Sequence, residues 1–190
     1  KDHLTDLFNR RYFDETVSRE WRRALRATTP VAIMLIDVDR FKEINDNHGH
    51  SAGDAVLRLI ANCMRRVLGP KDYAIRIGGD EVALIALGED ADRRVLEHCQ
   101  AIETLFRDRC LYHPDRATAS LSIGIASATS RSERQIDELL VDADVAMYSA
   151  KSEGRAQIAF ATEQFLKDAA VRKRLQRDLA YAIEDEQLHV

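Results

Sequence analysis

Two short acidic elements carry the side chains best suited to chemistry. One is Gly78-Gly79-Asp80-Glu81-Val82, set between the apolar stretches Tyr73–Ile77 and Val82–Leu87. The other is Asp37-Val38-Asp39, which closes the apolar run Val31–Ile36. Carboxylates at the ends of two strands can share one hard cation, and Mg²⁺ prefers one or two carboxylates together with the phosphate oxygens of a substrate. The chemistry this pattern points to is metal-dependent phosphoryl transfer. Each acid alone has a plainer reading, Asp37 as the cap of a turn and Asp80 with Glu81 as a solvated hairpin tip. Those plainer readings weaken when the two elements are taken together.

Other residues suit a nucleotide. After Asp39 the sequence runs Arg40-Phe41-Lys42-Glu43-Ile44-Asn45-Asp46. A short helical turn over Phe41–Asn45 leaves its first N–H groups unpaired and able to hold a phosphate, and Lys42 adds a point charge. Asn45 and Asp54 offer a donor and an acceptor suited to a purine edge, since guanine presents N1–H and N2–H₂ to a carboxylate. Taken singly, both are also common capping residues. Lys151 and Arg155 flank Gly154. The helix dipole alone favours cations there, and the functional reading is anchoring of a triphosphate.

The elements that must position these residues follow from periodicity and breakers. Leu4–Arg26 reads as a helix anchored by Leu7, Tyr12, Val17, Trp21 and Leu25, with Thr5 as its cap. Val31–Val38 is a central strand buried on both faces. Asn47-His48-Gly49-His50 reads as a loop, and Ser51 or Gly53 opens a helix to Leu68. Gly78-Gly79 marks a tight hairpin, because glycine accepts positive φ. Ala91–Arg109 is an amphipathic helix, Ala119–Ala126 an alternating strand, Gln135–Ser152 a helix ended by Gly154 in the left-handed region, and Gln157–Phe160 a last strand. From Thr162 onward the chain reads as one long charged helix with the stripe Leu175, Leu179, Ile183. The order mixes strands and helices, so both acidic elements can sit on adjacent strands of one sheet.

The 190 residues suffice for one domain with a real core and an appended helix. A net charge of -4 argues against a general nucleic-acid or anionic-membrane binder, so an anionic ligand needs a local basic cluster. Cys63, Cys99 and Cys110 lack CxxC spacing and read as free thiols in a reducing compartment. No signal peptide or membrane-spanning run is visible. The chain begins without Met and stops inside an unfinished pattern, which reads as an excised segment with domains on either side.

Over roughly residues 2 to 158 the sequence resembles the GGDEF domains, the diguanylate cyclases. Six blocks carry the resemblance, in order: Asp2-His-Leu-Thr-Asp-Leu-Phe-Asn-Arg-Arg; Asp37-Val-Asp-Arg-Phe-Lys-Glu-Ile-Asn-Asp; Gly49-His50 with Gly53-Asp54; Arg76-Ile-Gly-Gly-Asp-Glu; Ser122-Ile-Gly-Ile-Ala; and Ala143-Asp-Val-Ala-Met-Tyr-Ser-Ala-Lys-Ser-Glu-Gly-Arg. The implied fold is α/β (α+β), a central, mostly antiparallel five-stranded sheet flanked by helices, like the polymerase palm and the nucleotidyl cyclases. The implied reaction joins two GTP into cyclic di-GMP and pyrophosphate across a homodimer.

The resemblance also implies roles. Asp37 and Asp80 would hold Mg²⁺ or Mn²⁺ with the Val38 carbonyl, and Asp80 or Glu81 would help activate the attacking 3′-hydroxyl. Asn45 and Asp54 would read guanine. Lys42, Lys151, Arg155 and the backbone near Phe41 would contact phosphate, and His50 falls in the same substrate-binding block. Two positions depart from the family pattern. Val82 stands where Phe is usual, a change in packing beneath the turn. Gly69 stands where the product-inhibition site needs Arg, although its Asp72 is present. The tail from Arg174 resembles the helix leading into EAL phosphodiesterase domains. The expected organisation is therefore a GGDEF domain over residues 1–161 and a helical linker over 162–190, with sensory and EAL domains attached. The location is cytoplasmic, with membrane anchoring of the full-length protein left open. The alternative is a GTP-binding regulatory module with weak or no cyclase activity that controls an attached phosphodiesterase.

Overall fold

The strand β2, Val31–Val38, is buried along its whole length, and the rest of the chain is arranged around it. The structure is a computed structural model that describes residues 1–112, 119–128, 135–171 and 175. On one side β2 pairs antiparallel with β4, Glu81–Leu87, and on the other with β5, Leu121–Ala128. Beyond β4 lies β3, Asp72–Arg76, also antiparallel. Two parallel edge strands finish the sheet: β1, Phe8–Asn9, beside β3, and β6, Ile158–Phe160, beside β5. The order is β1-β3-β4-β2-β5-β6.

The sheet thus has six strands where the sequence suggested five. The sixth comes from the segment read as the start of a helix. Phe8 and Asn9 pair with Ile75 and Arg76, and the helical run begins only at Arg10. It consists of α1, Arg10–Tyr12, a π-helical stretch Phe13–Val17, and α2, Ser18–Arg26. Asn9 is the cap, its side chain accepting the Tyr12 N–H at 3.0 Å. Thr5 is not; its N–H and hydroxyl both donate to Asp2, at 2.9 and 2.6 Å. Leu7 is buried in the core from the bend just ahead of β1, so its spacing imitated a helix.

Alternation along β2 divides the interior into two layers. Ala32, Met34, Ile36 and Val38 face α4, His50–Val67, and α5, Ala91–Leu111. Val31, Ile33 and Leu35 face α2 and α6, Ile136–Ser152. Gly124 marks the tightest contact of β5 with α6, because a Cβ there would run into the Ala143 carbonyl oxygen and the Met147 nitrogen. Cys63, Cys99 and Cys110 are buried and form no disulfide among the described residues. Burial pushes the Cys99 thiol up to about 12, which leaves it inert at neutral pH.

The short turn expected over Phe41–Asn45 is a helix, α3, Phe41–His48. The loop expected over residues 47–50 contracts to Gly49, whose φ of +82° lets α4 start at His50. No helix among the described residues is long and apolar enough to cross a membrane. Residues 163–171 are helical, and Leu175 is exposed. Leu179, Ile183 and the rest of the tail stripe lie outside the described residues.

Candidate active site

Asp37 occupies the last full row of the β2 ladders, opposite Glu81 on β4 and Ser122 on β5. All three share the sheet face that α6 covers. Asp37 is 5% exposed, and its Oδ2 accepts from Lys151 Nζ at 2.7 Å. Lys151 stands in the last turn of α6, where the helix dipole favours a cation. Burial pushes the Asp37 carboxyl up to about 6; Lys151 works against this, while the charges of Asp80 and Glu81 add to it. The structure thus brings Asp37, Asp80, Glu81 and Lys151 to one end of the central strands. Among the described residues the acids do not close into a ready-made metal cluster.

The sign of the Asp37 shift gives a stability prediction. A carboxyl raised from 3.8 to about 6 binds its proton more tightly folded than unfolded. Its contribution is therefore present below the unfolded value and is lost as pH rises through about 6. Between pH 4.5 and 7.5, Asp37→Asn should gain about 2 kcal/mol of stability relative to the parent. Urea unfolding without metal at both pH values measures this, and parallel pH profiles would show that ionised Asp37 costs nothing.

The hairpin carrying Asp80 departs from the expected tight turn. Residues 77–80 connect the strands, and neither Gly78 nor Gly79 has positive φ. The Ile77 and Gly78 N–H groups both donate to the Glu81 carbonyl, at 3.0 and 3.4 Å. A Cβ at Gly79 would meet nothing within 4 Å, and one at Gly78 only the Glu81 side chain. The glycines thus keep the space beside the carboxylates clear. Arg76 braces the loop, donating from Nη2 to the Gly79 carbonyl at 2.7 Å and from Nη1 to Asp2 at 3.1 and 3.2 Å. Burial opposes the charge of Asp2, but Thr5 and Arg76 outweigh it and hold that carboxyl down to about 2. Neither end of this brace was singled out as functional in the sequence, although both lie in blocks of the resemblance.

Asn45 and Asp54 come together through Gly53. This glycine is buried in the first turn of α4 and does not open the helix; a Cβ there would collide with Asn45 Oδ1 and Phe41 Cζ. Asp54 stays half-exposed, 3.7 Å from Arg58. Arg40, in the left-handed region at φ 56°, turns the chain from β2 into α3, whose first turn has no side-chain cap. Lys42, His50 and Arg155 are exposed, and among the described residues none is bonded to the carboxylate group. Gly154 has φ +125°, outside the left-handed helical region expected of it, and Arg155 and Ala156 follow at 64° and 50°.

Val82 is fully buried, facing away from Glu81 into the layer of Ile36 and Leu84, as alternation requires. Asp72, beside Gly69, is not a surface charge, because its side chain is wholly buried. Its oxygens meet Arg94 Nη2 at 3.2 Å, His98 Nε2 at 2.9 Å and the Gly69 N–H at 2.8 Å. Both ring and guanidinium come from α5, so spacing around Gly69 could not reveal them.

The family described as diguanylate cyclase, GGDEF domain, matches residues 1–157. Diguanylate cyclase DosC of Escherichia coli (strain K12) is 35% identical over 157 residues, which are 83% of this chain and 34% of that protein. The bifunctional diguanylate cyclase/cyclic di-GMP phosphodiesterase MucR of Pseudomonas aeruginosa is 32% identical over 188 residues, 98% of this chain and 27% of MucR. The chain therefore spans about a third or less of the length of these curated relatives. Among solved structures, the coiled coil and GGDEF domain of DgcB from Caulobacter crescentus, in complex with c-di-GMP, superposes with a TM-score of 0.76 at 30% identity, covering 84% of each chain.

Proposed function

Because the chain belongs to the diguanylate cyclase GGDEF domain family, we propose that it condenses two GTP molecules into cyclic di-GMP and pyrophosphate, each of two chains presenting one GTP to the other. The observation that carries this reading is the gathering of Asp37, Asp80 and Glu81 beside Lys151 at the ends of β2 and β4. These acids fit a hard cation such as Mg²⁺ or Mn²⁺. They are oxygen donors, and burial together with the charges of Asp80 and Glu81 raises the Asp37 pKa, a penalty that a cation relieves. Asp37, Asp80, Glu81 and the Val38 carbonyl would hold it. The bound cation supplies charge neutralisation at the phosphates and lowers the pKa of the attacking 3′-hydroxyl.

The chain's own residues do the rest. With a cation on Asp37, Lys151 would be free to face the phosphates together with Lys42, Arg155 and the uncapped N–H groups from Phe41 onward. Asp54 accepts from guanine N1–H and N2–H₂, and Asn45 completes the base edge; His50 stands at the start of the same helix. Losing a hydrogen-bonded charged partner should weaken GTP binding by about 1.5–3 kcal/mol in Asp54→Ala. Calorimetry with GTP and ATP checks it. Unchanged GTP affinity in the variant, or equal affinity of the parent for ATP, would sink the assignment.

A second reading has its own support. The match to MucR covers 98% of the chain and so takes in positions of the tail, whereas the match to DosC covers 83%. We infer a GGDEF domain over residues 1–161 and a linker over 162–190 leading to an EAL domain, in a cytoplasmic setting where GTP is found. In such a protein the domain can serve as a GTP-binding regulator of the attached phosphodiesterase, and Val82 would suit reduced turnover. Incubating the full-length protein with GTP and Mg²⁺ and separating the nucleotides distinguishes the two.

A further inference from the structure

Asp39 lies two residues beyond Asp37 on the same face of the sheet, yet it is tied to entirely different partners. It is 3% exposed. Its Oδ1 accepts from the Ser122 hydroxyl at 2.6 Å, and its Oδ2 from the Ser120 hydroxyl at 2.6 Å and the Ala156 N–H at 3.0 Å. Its own N–H donates to the Ser120 carbonyl at 2.9 Å. All these partners are neutral, and they come from the entry to β5 and from the turn between α6 and β6.

That turn needs a restraint. Gly154, Arg155 and Ala156 have positive φ in succession, at 125°, 64° and 50°. Glycine takes such angles freely, but residues with a Cβ do so only when the surroundings enforce it. Two bonds within the turn contribute, Arg155 N–H to the Ala150 carbonyl at 3.0 Å and Gln157 Nε2–H to the Glu153 carbonyl at 2.7 Å, and the pairing with β5 adds Ile123 N–H to the Gln157 carbonyl at 2.9 Å. The bond from Ala156 to Asp39 is the link between this turn and the end of β2. Asp37 grips the same helix end through Lys151, but a cation at Asp37 competes for that ion pair. Neutral donors on Asp39 are not drawn away by a cation at Asp37.

We propose that Asp39 is a positioning residue: it clamps the α6–β6 turn to β2 and so holds Arg155 at a fixed place relative to the Asp37 carboxylate while Lys151 is released. The proposal rests on the cyclase reading for its catalytic consequence and on the hydrogen bonds alone for the clamp.

Steady-state turnover of GTP by the full chain, with Asp39→Ala, Asp39→Asn, Arg155→Ala and Asp39→Ala/Arg155→Ala, tests the catalytic consequence. Asp39→Ala should raise KM for GTP about tenfold with a smaller fall in kcat, as expected when a phosphate contact is misplaced. Asp39→Asn should stay within about threefold of the parent, because its carboxamide oxygen can accept from Ala156 while the Ser122 hydroxyl turns to accept. The double variant should be no worse than Arg155→Ala. Equal damage from Asn and Ala would overturn the proposal by showing that the charge itself is needed, and additive losses in the double variant would overturn it by showing that Asp39 does not act through Arg155. Amide hydrogen exchange at Ala156 reads the clamp without any activity. Protection in the parent that is lost in Asp39→Ala supports the clamp, and an unprotected Ala156 amide in the parent overturns it even if Asp39→Ala fails to fold. A parent that binds and turns over no GTP, yet protects Ala156, would remove the cyclase reading and leave the clamp standing.

Discussion

Asp80→Asn should leave the fold intact and lower cyclisation of GTP by more than about 10³-fold, or about 4 kcal/mol of transition-state stabilisation. The expectation follows from what Asp80 does not do. It sits in the connection between β3 and β4, outside both strands, and among the described residues no hydrogen bond or ion pair engages its carboxylate. Its charge bears on Asp37, whose pKa it helps to raise, so removing it relieves repulsion in the metal-free protein. The loss should therefore appear in chemistry and metal affinity, while circular dichroism stays at the parent value and urea unfolding at or slightly above it. Retention of turnover within tenfold at saturating Mg²⁺ would mean that Asp80 is not a ligand.

Gly124→Ala should be the most damaging single methyl group in the molecule. The added Cβ would meet the backbone oxygen of Ala143 and the backbone nitrogen of Met147, neither of which can rotate away. β5 and α6 would have to separate, opening the layer that contains Leu139, Ala143 and Met147. Overpacking against backbone should cost about 3 kcal/mol or more, which lowers Tm by roughly 10 °C for a chain of this size. Any variant protein that still folds should also have a weakened Lys151–Asp37 contact, because the helix that moves carries Lys151. A Tm within 2 °C of the parent would show that the two elements are not in such close contact.

Much of the sheet was legible because its signals are local. Val31–Val38 is a continuous apolar run that only a doubly covered strand explains, and the alternation around Leu121, Ile123 and Ile125 marked β5, although its other face, through Ser122 and Gly124, is buried as well. The carboxylates of Asp37, Asp80 and Glu81 were legible for the same reason, since each ends or begins such a run. The features that escaped depend on distant partners. β1 is two residues long, and its pairing with Ile75 and Arg76 cannot be seen from Phe8 and Asn9 alone. Asn9 and Thr5 are both good caps by type, and the choice between them was made by Asp2, which takes the Thr5 hydroxyl. Asp72 could equally have faced solvent or interior; Arg94 and His98 on α5 decide it. The spacing of Asp37 and Asp39 placed both on one face, but only the positions of Ser120, Ser122 and Ala156 separate their tasks.

The strand order has a consequence for how such a domain can be wired to its neighbours. Chain entering through β1 and chain leaving through β6 do so at opposite margins of the sheet. Five strand spacings of about 4.8 Å put roughly 24 Å between those margins. The route through the sheet between them crosses β3, β4, β2 and β5 in turn, and its midpoint lies between β4 and β2, the strands that bear Glu81 and Asp37. A push on Asp2 reaches Gly79 through the Arg76 brace, and a pull on Ala156 reaches the end of β2 through Asp39. The candidate carboxylate site thus lies at a crossroads of the sheet, joined by hydrogen bonds to both of its margins.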